Sequence, residues 1–99
     1  MTPDEIFERM EEINPDALTA DGFDDCIVGY IERCGSPAVF CYDSQKMAEK
    51  LAAQYTEDAK KAGEEVEDAM GQAWEFLEFN TFGAYVGENG PVWLYRFED

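Results

Sequence analysis

The sequence predicts an α+β fold, and three observations carry that expectation. Apolar residues recur at helical spacing over about 3–13, 44–62 and 64–78. Alternating apolar runs, bounded by glycine and proline, occur at 26–43 and 82–97. Hydrophobic residues make up 45% of the 99 residues and aromatics 14%, enough for one modest core and too many for a disordered acidic tail. The expected order is an N-terminal helix, a β-hairpin, two helices and a C-terminal β-hairpin, in a single domain spanning 1–99. The four strands are expected to join in one antiparallel sheet, with helices packed mainly on one face.

The first helix is expected over about Pro3 to Ile13. Thr2-Pro3-Asp4-Glu5 reads as a capping box with proline at the first helical position. Ile6, Met10 and Ile13 recur at i, i+4 and i+7, with Phe7 beside them, and Asn14-Pro15 ends the helix. Residues 14–25 read as a loop anchored by Phe23. Cys26 to Arg33 and Ala38 to Asp43 read as strands, joined through the turn Cys34-Gly35-Ser36-Pro37.

Asp43 or Ser44 caps the next helix, whose stripe is Met47, Ala48, Leu51, Ala52, Tyr55 and Ala59. Lys60 and Lys61 suit its C-terminal end, and Gly63 suits its termination. A further helix is then expected over Glu64 to Glu78. The alternative is one long helix, because the 3–4 spacing runs unbroken from Ala52 through Tyr55, Ala59, Ala62 and Val66 to Phe76. In the last hairpin, Phe82, Ala84 and Val86 are expected to face Phe97, Tyr95 and Trp93, an apolar platform for the helices.

Charge is the strongest compositional signal. Aspartate and glutamate total 23 against seven lysines and arginines, a formal net charge of −16. Residues 1–25 hold nine acids and one base, whereas 26–61 balance at five and five. Residues 64–78 hold six acids and no base. Such a chain repels nucleic acid and anionic membrane and attracts basic surfaces. On the first helix, Asp4–Glu8, Glu5–Glu8, Glu8–Glu11 and Glu8–Glu12 are like-charge neighbours, together costing about 1–2 kcal/mol. In the last helix Glu64, Glu67, Asp68, Glu75 and Glu78 are expected to share one face. A binding role explains tolerating this excess; solubility or adaptation to high salt is the competing explanation.

Little points to catalysis or to a cofactor. The absence of histidine removes the commonest general base and zinc ligand. Cys26, Cys34 and Cys41 form no CxxC pair and are expected to be reduced and at least partly buried. Cys34, after Arg33, is the best thiol candidate, but a packed turn cysteine is the plainer reading. Asp21, Asp24 and Asp25 lack the alternation and closing glutamate of a calcium loop, so no metal is expected. Trp93, Tyr95 and Phe97 lack the electropositive groove of a single-strand binder and read as core. No apolar run approaches the ~18 residues of a membrane span, and the acidic N-terminus lacks the features of a signal peptide. A soluble cytoplasmic protein is therefore expected.

Asp21-Gly22-Phe23-Asp24-Asp25, Tyr30-Ile31-Glu32-Arg33-Cys34-Gly35, Cys41-Tyr42-Asp43, Phe76-Leu77-Glu78-Phe79-Asn80 and Gly83-Ala84-Tyr85-Val86-Gly87-Glu88-Asn89 follow one another in this chain. In this order they resemble small acidic bacteriophage proteins with a DGF-D, ERCG, YD, EFN and GA-x-VGE pattern. The likeness covers roughly residues 20–95, transfers no functional residue, and makes the stretch from about Ala52 to Met70 longer than expected. It implies a phage-encoded protein acting in the host cytoplasm. Proteins of that kind are often inhibitors of host machinery, some of them nucleic-acid mimics directed against restriction or CRISPR nucleases.

The leading expectation is thus a non-enzymatic inhibitor or interaction protein. It presents Glu64, Glu67, Asp68, Glu75 and Glu78, with Glu8, Glu11 and Glu12, to the basic groove of a nucleic-acid-binding host protein. The alternatives are an assembly or scaffold protein, with homo-oligomers allowed, and a nucleotide binder using Arg33 or Arg96.

Overall fold

A three-stranded mixed sheet, built from β1 (Ile27–Ile31), β2 (Val39–Asp43) and β3 (Val92–Leu94), has the strand order β1–β2–β3. This computed structural model describes residues 1–97. The helices are α1 (Pro3–Ile13), α2 (Ser44–Lys61) and α3 (Ala69–Leu77). The chain divides into two compact units. Met1–Asp43 and the segment from Tyr85 form the first, and Ser44–Ala84 forms the second. The class is α+β, as the sequence predicts, with the helix, the first hairpin and two helices in the expected order.

In the first unit, α1 begins at the expected capping box. The Glu5 amide donates to Thr2 Oγ1 at 3.3 Å, and the Thr2 amide donates to Glu5 Oε1 at 3.2 Å. These bonds from Thr2 hold the Glu5 carboxyl below its ordinary value of 4.5. β1 and β2 pair antiparallel, with Tyr30 opposite Phe40 and Ile27 opposite Tyr42. A bulge falls between Ile27 and Gly29. The strands are shorter than the sequence suggests, so the connection is 32–38 rather than a four-residue turn. All five residues of β2 are buried, as a central strand covered on both faces requires. Phe40 packs edge-on against Phe7 of α1, with ring centroids 5.7 Å apart, and Tyr42 lies 5.6 Å from Trp93.

The C-terminal half of the sheet corrects the sequence reading. The expected hairpin of 82–86 with 92–97 is absent among the described residues. β3 instead pairs parallel with β2, placing Tyr42 beside Trp93 and Asp43 beside Leu94. The sheet therefore has three strands and is mixed, not four strands and antiparallel. A parallel neighbour needs a crossover, and the helical segment between β2 and β3 supplies it. Residues 78–82, expected to lead into a strand, form a π-turn continuing α3. The Asn80 side-chain amide donates to the Phe76 carbonyl at 3.0 Å, and the Gly83 amide donates to the Glu78 carbonyl at 3.1 Å. A Cβ at Gly83 would lie 2.7 Å from that carbonyl oxygen, so the turn needs glycine there. These local bonds outweigh the weak alternation of Phe82, Ala84 and Val86. Trp93 finds its partner on β2, while Tyr95 and Phe97, expected in the core, are exposed.

In the second unit α2 and α3 pack against each other. Met47, Ala48 and Ala52 are buried on α2, and Ala73 and Leu77 on α3. The helical run does break at Gly63, whose φ of +73° suits glycine. The second helix starts at Ala69 instead of Glu64, five residues later than expected. Trp74 packs against Phe82 with ring centroids 6.1 Å apart.

Candidate protein-binding surface

α1 presents the better-formed acidic face. Glu8, Glu11 and Glu12 are all exposed, as are Asp4 and Glu5. Glu5, Glu8 and Glu12, at i, i+3 and i+7, line a shallow depression of about 280 Å³ together with Met1 and Arg9. Arg9 is the single side-chain cation among them, and the Met1 amino group, whose charge also lowers the Glu5 carboxyl, is a second positive charge against three carboxylates.

That depression adjoins an apolar groove between α1 and β1. The groove, about 430 Å³, shares Met1 and Arg9 with the acidic depression and is otherwise apolar. Ile6, Met10 and Ile13 supply the helical wall, and Ile27, Val28 and Tyr30 the strand wall. Its rims stay open to solvent: Val28, Tyr30 and Ile13 are each between 40% and 50% exposed. The expected core stripe of the first helix is therefore only half used. Both Met10 and Ile13 line the groove, but Met10 is buried whereas Ile13 is 40% exposed.

The second set of expected site residues does not form one helical face. Glu64 and Glu67 lie in the connection before α3, Asp68 is its N-cap, and Glu78 begins the π-turn. Only Glu75 is within α3, bordering a hollow of about 320 Å³ with Tyr55, Phe76 and Phe79. The reason is local. Asp68 adopts a left-handed conformation, φ 51°, and its Oδ1 accepts from the Gly71 amide at 3.1 Å. That cap fixes the helix start and leaves 64–67 outside it. Asp68 thus has a structural role, and Asp68→Lys confounds any test of charge. Asp68→Ala is expected to cost about 1–2 kcal/mol in urea melts, and Asp68→Asn much less, because asparagine caps and tolerates φ > 0.

The thiols differ from expectation at one position. Cys26 and Cys41 are buried, but Cys34 is exposed in the β1–β2 connection, not packed beneath it. Burial pushes the Cys41 thiol up, and the nearby Asp43 charge adds to this. Iodoacetamide is expected to add one group, at Cys34, to the native protein and three after denaturation, read by mass spectrometry.

Asp43, at the end of β2, is buried, and its carboxylate pairs with the Arg96 guanidinium. Arg96 is thereby engaged, whereas Arg33 stands exposed in the hairpin connection. Among the described residues no group of three or more histidine, cysteine, aspartate or glutamate side chains is placed to hold a metal ion. No helix of the described residues is long and apolar enough to cross a membrane.

Sequence reasoning missed two polar residues that tie the first unit together. The Asn14 side-chain amide donates to the Ala38 carbonyl at 2.8 Å and to Asn89 Oδ1 at 3.0 Å, while the Leu18 amide donates to the Asn89 carbonyl. Asn14-Pro15 reads only as a helix stop in the sequence, and nothing local pairs it with Asn89.

No protein-family model, curated protein or solved structure matches this chain.

Proposed function

We propose that this protein acts by binding, not by catalysis, and that its partner is a protein with a basic surface. The observation that carries this reading is the row of exposed carboxylates on α1, Asp4, Glu5, Glu8, Glu11 and Glu12, answered on that helix by Arg9 alone. Those carboxylates stand in for nucleic-acid phosphates, whose charge dominates the affinity of nucleic-acid-binding proteins. The resemblance to small acidic phage proteins makes the partner a host nuclease or another nucleic-acid-binding defence protein, of the kind blocked by anti-restriction or anti-CRISPR inhibitors. The site of action is then the host cytoplasm. Glu64, Glu67, Glu75 and Glu78 supply secondary attraction from the second unit, without the regular spacing of α1.

The test is affinity purification from a bacterial lysate at low and high salt, with double-stranded DNA as competitor. A nucleic-acid-binding protein recovered at low salt, and released both by salt and by DNA, supports the reading. Recovery of no basic protein contradicts it.

A second reading, assembly with copies of itself or other structural proteins, is favoured by large exposed apolar side chains. Phe79 and Tyr85 are each 86% exposed, and Phe97 is fully so. Light scattering after size exclusion separates the two: a defined oligomer in moderate salt favours assembly, a monomer the first reading.

A further inference from the structure

We infer that the groove between α1 and β1 binds an amphipathic, basic helical segment of a partner protein. This rests on the proposal that the partner is basic, and specifies how it is held. Three observations select the occupant.

The first is the shape and chemistry of the walls. Ile6, Met10, Ile13, Ile27, Val28 and Tyr30 line a mainly apolar trough beside α1, a helix about 16 Å long. Three or four turns of a ligand helix cover that length, with anchors at i, i+3 or i+4, and i+7.

The second is charge complementarity. The acidic depression of Glu5, Glu8 and Glu12 adjoins the trough, sharing Met1 and Arg9 with it. A helix that seats apolar side chains in the trough therefore brings its flank over these carboxylates. Lysine or arginine on that flank is attracted, and aspartate or glutamate is repelled. The same arrangement disfavours an anionic amphiphile at Arg9, because three carboxylates outweigh the guanidinium and the Met1 amino group together. It also disfavours a second copy of this chain, which would bring two acidic rims together.

The third concerns β1 itself. The strand has β2 on one side and stands at the sheet edge on the other. A partner strand could add to a regular edge, but the bulge between Ile27 and Gly29 interrupts the ladder on this strand. Side-chain seating of a helix needs no such ladder.

The experiment uses the full chain, isotope-labelled for amide spectra, and three synthetic peptides of about four turns. The first carries leucine and lysine at amphipathic helical spacing, the second has the same composition scrambled, and the third replaces lysine by glutamate. The amphipathic Leu/Lys peptide is expected to bind and to shift the amides of Ile6, Met10, Ile13, Val28 and Tyr30. The scrambled peptide is expected to bind about tenfold more weakly, and the Leu/Glu peptide not measurably. Val28→Lys and, independently, Ile13→Lys change exposed positions and are each expected to weaken the Leu/Lys peptide about tenfold.

Equal binding of the scrambled peptide overturns the inference, as do shifts confined to α2 and α3. Concentration-dependent shifts of the groove amides without peptide also overturn it, assigning the groove to self-association. A partner recovered from lysate and held undiminished by Val28→Lys overturns the groove while leaving the basic-partner reading intact. Groove binding of the peptide when the lysate yields no partner supports the groove alone.

Discussion

Leu77→Ala is expected to remove about 3–5 kcal/mol of stability. Leu77 is fully buried on α3, and its unit has few large core side chains. Beside Leu77 and Met47, the buried residues of α2 and α3 include Ala48, Ala52 and Ala73. Alanines let the two helices approach closely but contribute little apolar area each. Removing the leucine side chain therefore deletes a large share of that core and leaves a cavity its small neighbours cannot fill. Against a total of ~5–15 kcal/mol, the loss brings a marginal domain near unfolding at ordinary temperature. Urea denaturation followed by circular dichroism measures it. Leu77→Met, which keeps the volume, is expected to cost less than about 1.5 kcal/mol.

Arg96→Met is expected to cost about 2–3 kcal/mol. The Asp43 carboxylate is buried, and the Arg96 guanidinium pairs with it from the segment following β3. Removing the guanidinium takes away one charge partner of a buried carboxylate, which weakens its compensation. The estimate sits below the range for fully buried pairs because the Arg96 side chain is 51% exposed, so water screens part of the interaction. The pair also fastens the C-terminal segment to the central strand, since Leu94, two residues earlier, stands beside Asp43 in the parallel ladder. A double-mutant cycle separates pairing from packing: with Asp43→Asn in place, Arg96→Met is expected to cost less than about 1 kcal/mol. Equal cost in both backgrounds would show that pairing with Asp43 contributes nothing to the effect of Arg96.

How far the fold could be read from the sequence depended on whether the decisive interactions were local. The Thr2–Glu5 capping box, the α1 boundaries and the break at Gly63 follow from residues within a few positions of one another. The parallel docking of Trp93 beside Tyr42 depends on residues far apart in sequence, and only the uninterrupted apolar run of β2 hints that it needs two neighbours. The Phe82–Val86 alternation was a weak signal that the Asn80 and Gly83 bonds override. For the surface, the α1 carboxylates were legible because a regular helix places them by spacing alone. The Glu64–Asp68 group was not, because the left-handed Asp68 cap restarts the helix at Ala69. The apolar groove was concealed for the opposite reason: Ile13 and Val28 look like core residues, and only the tertiary arrangement leaves them lining an open trough.

The central claim is that the α1 carboxylates bind a basic partner. Its most direct test is the affinity of the captured partner for the wild-type chain and for a Glu8→Gln, Glu11→Gln, Glu12→Gln variant, each measured across a salt series. These side chains are exposed, and neutralising them relieves repulsion within the helix, so the variant is expected to fold at least as stably. The predicted result is a loss of about 10- to 100-fold in affinity at low salt, together with a shallower dependence on salt. Unchanged affinity and an unchanged salt slope would contradict the account.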